Sequence, residues 1–204
     1  MPIRERISRE MEHAHAARAR SGRGRDCVRS SILWGALVAS TISACAHKPP
    51  APRDIPPSLQ VPAGQKMQMM LHAIGVQIYQ CTLSAPNPAR YAWVLQAPAA
   101  DLADPSGKNV GWHHDGPTWE SYDGSKVVGE VVASAEGPAP KAVPWLLLRA
   151  KSNAGKGIFG KVKSIQRLHT VGGLPPQSAC DAGHLAQRVR VAYSADYYFY
   201  SGSR

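Results

Sequence analysis

The stretch "QRVRVAYSADYYFYS", from Gln187 to Ser201, alternates with a period of two. Val189, Val191, Tyr193, Ala195, Tyr197 and Phe199 fall on one face, because side chains two apart on an extended strand point the same way. No window after Pro62 offers a comparable 3.6-residue apolar stripe, so a helical core is excluded. A chain constrained in this way must bury strands against strands.

Other segments fit the same scheme. "KMQMMLHA" and "GVQIYQCTL" are apolar or alternating runs separated by Gly75, and "RYAWVLQA" places Tyr91, Trp93 and Leu95 together with Val94 opposite. "SKVVGEVVAS" is β-branched with Gly129 in its middle, which marks a bulge or a close approach. "VPWLLLRA" is almost continuously apolar, as expected of a strand covered on both faces, and "GKVKSIQRLHTV" precedes the closing strand. "ADPSGKN" is turn chemistry. Seven to eight short strands with frequent turn signals imply an all-β domain, a single antiparallel β-sandwich or barrel.

The N-terminus reads differently. Eight arginines precede Ser31, and the apolar run "ILWGALVASTISA" from Ile32 to Ala44 follows. Thirteen residues cannot span a bilayer, which takes roughly 20. A basic flank, a short apolar run and a small-residue exit make a secretory signal, beginning at Met1 or at Met11. Ile42-Ser43-Ala44-Cys45 matches a bacterial lipobox, in which Cys45 receives lipid. The expected organisation is a signal peptide over 1–44, a lipidated cysteine with a proline-rich, disordered tether over 45–62, and a β domain over 63–204. Ala46 stands where an aspartate would favour inner-membrane retention, which points to the periplasmic face of the outer membrane.

Cleavage after Ala44 would remove eight of 24 basic and four of 14 acidic residues, leaving 16 against 10, net +6. This mild excess fits an anionic lipid or glycan environment, and no basic stripe with interleaved aromatics indicates nucleic acid. Of the four cysteines, Cys81 and Cys180 remain after Cys27 and Cys45 are assigned, and in an oxidising compartment a disulfide is expected. Neither has a second cysteine at the close spacing of zinc sites, so no metal and no cofactor is expected.

Residues 111–130, "GWHHDGPTWESYDGSKVVGE", concentrate the chemistry. His113 with Asp123 or Asp196 could supply the general base of a hydrolase, although no nucleophile elbow or phosphate loop accompanies them. If the segment is extended, His113 and His114 point to opposite faces and cannot share a site. A ligand-binding surface is the second reading. Trp112, Trp119 and Tyr122, with His113 and nearby carboxylates, could hold a glycan or a small amphipathic molecule. The third is structural: Gly116-Pro117 and Asp123-Gly124-Ser125 are turns, Trp119 anchors the loop into the core, and His113 is a hydrogen-bonded, partly buried histidine.

"GVQIYQC", "GWHHDGPTWESYDGSKVVG", "VPWLLLRAKSNAGKGIFGKVKSIQRLHTVGG", "PPQSAC" and "YSADYYFY", in this order, resemble the family called domain of unknown function 3455. The resemblance runs from about Leu59 to Tyr200, and the family's Gly-x-His falls on Gly111 and His113. It implies an exported β domain and brings no activity with it. The expectation is a lipid-anchored envelope protein with a structural or ligand-binding role, and a hydrolase as the alternative.

Overall fold

A computed structural model describes residues 50–84 and 87–202. The segment expected to be a signal peptide, Cys45 and the start of the expected tether lie outside the described residues. Eight strands follow one another: β1 (Gln65–Ser84), β2 (Asn87–Ala103), β3 (Asn109–His114), β4 (Thr118–Ser121), β5 (Lys126–Ala135), β6 (Trp145–Ala154), β7 (Val162–Gly172) and β8 (Arg188–Gly202). Each pairs antiparallel with the next, and β8 closes on β1 to form a barrel. Closure removes both sheet edges that an open sheet would leave to other chains.

Several strands are longer than their sequence fragments indicated. β1 runs unbroken for 20 residues through Gly75, which was expected to divide it. The reason is local. A Cβ at Gly75 would collide with the Ala99 carbonyl oxygen, so the bare Cα lets β2 lie close while β1 continues. Gly129 behaves as expected: pairing with β6 shifts register at Val128/Gly129, and a Cβ would sit 2.9 Å from the Trp119 ring.

Alternation gives the wall two apolar faces. Inward lie Leu71, Trp119, Leu148, Ile165, Tyr197 and Phe199, which fill much of the interior. Outward on the β1, β6, β7 and β8 side lie Met67, Trp145, Leu147, Leu168, Tyr198 and Tyr200. β6 is therefore covered on both sides, as its unbroken apolar run implies.

The outer patch is covered by the segment expected to be a solvated tether. Pro57–Leu59 forms a 3₁₀ turn with proline at its start, where a missing N–H costs nothing. Leu59 is fully buried against the patch, with Ile55 and Val61 beside it, and its carbonyl accepts from Gln166 Nε2 at 2.7 Å. The ordered domain thus begins before Pro62, because the outer face is too apolar to be left in water. Cys81 and Cys180 form a disulfide with Cα atoms 5.5 Å apart and a sequence separation of 99.

Candidate functional site

The two turns of the 111–130 stretch are built from its glycines and from Asp123. Gly116 and Gly124 take φ of 89° and 81°, the left-handed region open to glycine. Asp123 Oδ1 accepts from the Ser125 hydroxyl at 2.6 Å and from the Ser125 N–H at 2.8 Å. Its Oδ2 accepts the Ile158 N–H at 2.8 Å, which ties the β4–β5 turn to the β6–β7 loop. The Ser125 hydroxyl, then the backbone donors, hold the Asp123 carboxyl below its ordinary value. Asp123 is a structural anchor.

β3 and β4 pair with His113 opposite Trp119, and both enter the barrel. His114 points the other way, 3.0 Å from Asp115 and 3.4 Å from Glu120. Trp112 and Tyr122 are also outside, with ring centroids 5.4 Å apart. The aromatic residues proposed as one ligand surface are therefore split by the wall: Trp119 and His113 inside, Trp112 and Tyr122 outside.

Asp196 is on the outward phase of β8, between inward Ala195 and Tyr197. There it meets His72 Nδ1 at 2.7 Å and His169 Nδ1 at 2.9 Å. His113, Asp123 and Asp196 thus occupy the interior, a turn and the outer wall, and do not converge. The His113–Asp hydrolase arrangement is not formed. His113 itself is unsuited to proton transfer. Its Nδ1 donates to the Thr118 carbonyl at 2.8 Å, and burial pushes its pKa down to about 3, so it stays neutral. Among the described residues no group of three or more His, Cys, Asp or Glu side chains is placed to hold a metal ion.

What the interior does hold is a cavity of about 280 Å³. It follows from unequal strand lengths. On its β3 side β2 is paired only from Ala100 onward, and β4 pairs with β5 only from Lys126 to Val128. The short β3–β4 hairpin therefore leaves the wall incomplete between the rest of β2 and β5. Gly116-Pro117 form the sill of this opening, and Leu95 and Val131, each nearly half exposed, stand at its mouth.

The inner wall carries Gln77, His113, Trp119, Arg167 and Tyr197. Gln77 is 1% exposed, yet among the described residues neither its amide oxygen nor its nitrogen has a partner. Trp119 Nε1 is likewise buried without one, while the Tyr193 and Tyr197 hydroxyls lie against each other and that of Tyr197 also lies against Arg167. Burial pushes both phenols well above their ordinary range, so they stay protonated donors. Gln77, Arg167 and Tyr193 were not among the residues singled out from sequence. The available signal was a polar residue at an inward position of a strand: Gln77 is in phase with Ala73, and Arg167 with Ile165.

Residues 62–201 match the family model described as "Protein of unknown function (DUF3455)", and the chain belongs to that family. No curated protein and no solved structure matches it.

Proposed function

We propose that this DUF3455 member is a binding protein that holds a small amphipathic molecule inside its barrel. The supporting observation is the set of buried polar atoms on Gln77 and Trp119 that find no partner among the described residues, on the wall of a cavity that opens sideways. Each buried donor or acceptor left unpaired costs about 1–3 kcal/mol, a cost that a ligand or bound water would offset. An eight-stranded barrel is wide enough either to be filled by side chains or to hold one small ligand. A purely structural interior would be better served by apolar residues at the Gln77 and Arg167 positions. The volume is near the lower end of small-molecule sites, roughly 300 Å³, so the ligand is compact or leaves part of itself in the mouth.

The test is calorimetric titration of the purified chain with 2-naphthamide, a neutral bicyclic amide. Wild type should bind it, Val131→Trp should weaken it by narrowing the mouth, and Trp112→Ala and Tyr122→Ala should not matter. No binding by wild type, or loss with the two outer aromatics, would overturn the cavity reading. In the second case the outer face becomes the site, as a glycan platform would require.

We further propose that the barrel sits in the cell envelope. Cys45 carries lipid on the periplasmic face of the outer membrane, and residues between it and Ile55 tether the domain. The lipobox and the arginine-rich, short apolar leader support this. Intact-mass measurement of the mature protein should show a lipidated N-terminal cysteine, and Cys45→Ser should accumulate uncleaved precursor. An unmodified mature N-terminus would sink it.

A further inference from the structure

We infer that Arg167 is an anion-recognition point, and that the cavity takes a monoanionic amphiphile with its carboxylate or similar group on the guanidinium. This rests on the cavity reading and narrows it to one ligand class. The apolar body would then lie toward Leu95 and Val131, where the mouth is hydrophobic.

Arg167 lines the cavity only half-buried, on the inward phase of β7. Its Nε and Nη2 both donate to the Pro144 carbonyl, at 3.1 and 2.9 Å, which fixes the plane of the guanidinium. No carboxylate joins it. Among the described residues none of the ion pairs includes Arg167, and no Asp or Glu lines the cavity. Withdrawing a cation from bulk water without a counter-charge is expensive, and the guanidinium hydrogens not spent on Pro144, held in a fixed plane, suit a carboxylate.

The surroundings favour an anion as well. His113 is neutral, so it neither competes for the anion nor repels a second cation. The charge on Arg167 lowers the pKa of Tyr79, His113, Tyr193 and Tyr197, which places all four within its field. The Tyr197 hydroxyl lies beside the guanidinium, and the unpartnered Gln77 amide adds a donor on the same wall. A cluster of one fixed cation and neutral donors, closed off from carboxylates, is complementary to one negative charge.

The alternative is that Arg167 serves only to hold the Pro144 carbonyl. Titrating the full-length protein with 2-naphthoate and with 2-naphthamide, which differ in charge but little in shape, separates the two. Wild type should bind the carboxylate tighter by roughly tenfold or more, as a charge-assisted hydrogen bond predicts. Arg167→Gln should abolish that preference, so that the two probes bind the variant equally, whatever the change in naphthamide affinity itself. Should Arg167→Gln fail to fold, the wild-type pair still tests the anion preference on which the inference depends. Equal affinities overturn the anion site and leave the cavity reading standing. A preference that survives Arg167→Gln puts the anion elsewhere and also overturns it. Binding of neither probe removes the cavity reading, and this inference with it.

Discussion

The imidazole of His113 lies flat on the indole of Trp119, with ring centroids 4.4 Å apart and planes 8° from parallel. The two are direct partners across the β3–β4 hairpin, and Tyr197 from β8 meets both edge-on, at 5.1 and 5.2 Å. The hairpin is thereby keyed into the opposite side of the barrel. Since the same rings form the inner end of the cavity, the packing that closes the fold also shapes the site.

Trp119→Ala should cost about 3–5 kcal/mol of unfolding free energy, because the ring is fully buried and the hairpin is too short to collapse around a void. His113→Ala should cost less, about 1–3 kcal/mol, from the lost stack and an unpaired Thr118 carbonyl. Urea denaturation of both variants measures this. A His113→Ala protein as stable as wild type would show that the stack contributes nothing.

His113 also makes a prediction about pH. Its folded pKa is pushed from 6.5 down to about 3 by burial, so the unfolded chain takes up a proton that the folded one refuses. The associated stability is fully present above pH 6.5 and is lost as pH falls toward 3. Between pH 7 and pH 4 wild type should lose a few kcal/mol more than His113→Phe, which has nothing to protonate there. Asp123 adds acid sensitivity of the same sign but is common to both proteins and cancels in the difference. Parallel stability curves for the two would contradict the buried neutral histidine.

Leu59 tests the outer strap. Fully buried against Trp145, Leu147 and Tyr198 on the outside of the wall, it should cost about 2–5 kcal/mol when changed to alanine. The loss should come without change in naphthamide binding, since the interior is untouched. Limited proteolysis should then cut first near residues 55–62. Resistance equal to wild type would mean the segment is held by its backbone bond to Gln166 alone.

How far the sequence could be read follows from what each signal depends on. β8 was legible because its alternation is continuous and both faces are satisfied, Tyr197 inside and Tyr198 outside. His113 and His114 were rightly placed on opposite faces by the same rule. The docking of Leu59 was hidden, since a lone leucine among prolines has no period and most of the patch it covers, from Trp145 to Tyr200, is distant in sequence. Strand continuity through Gly75 was hidden for a related reason: only the position of Ala99 shows that this glycine permits contact and does not end the strand. The cavity was out of reach because it comes from a mismatch in strand lengths. Arg167 becomes conspicuous only when Gln77, Tyr197 and the absence of any carboxylate are seen around it.

The disulfide was legible from the cysteine count and the expectation of an oxidising compartment, and its position now specifies what it does. Cys180 sits in the β7–β8 connection and is bound to the later half of β1, beside the Trp93 Nε1 to Ser178 carbonyl bond at 3.0 Å. The Cys81 N–H and carbonyl are already paired with the Gln187 carbonyl and the Ala186 N–H, each at 2.9 Å, so the barrel ladder does not depend on the bridge. Its contribution is therefore mainly to the unfolded chain, where closing a loop of about 100 residues is worth roughly 4–5 kcal/mol in the chain-entropy model. Replacing both cysteines with alanine should lower Tm by about 10 °C at this chain length while leaving naphthamide affinity unchanged. Protein purified without reductant should show no titratable thiol from this pair on denaturation. A double variant that melts with wild type would mean that the connection is already restrained by its hydrogen bonds. One that melts normally but loses the probe would tie the bridge to the shape of the cavity.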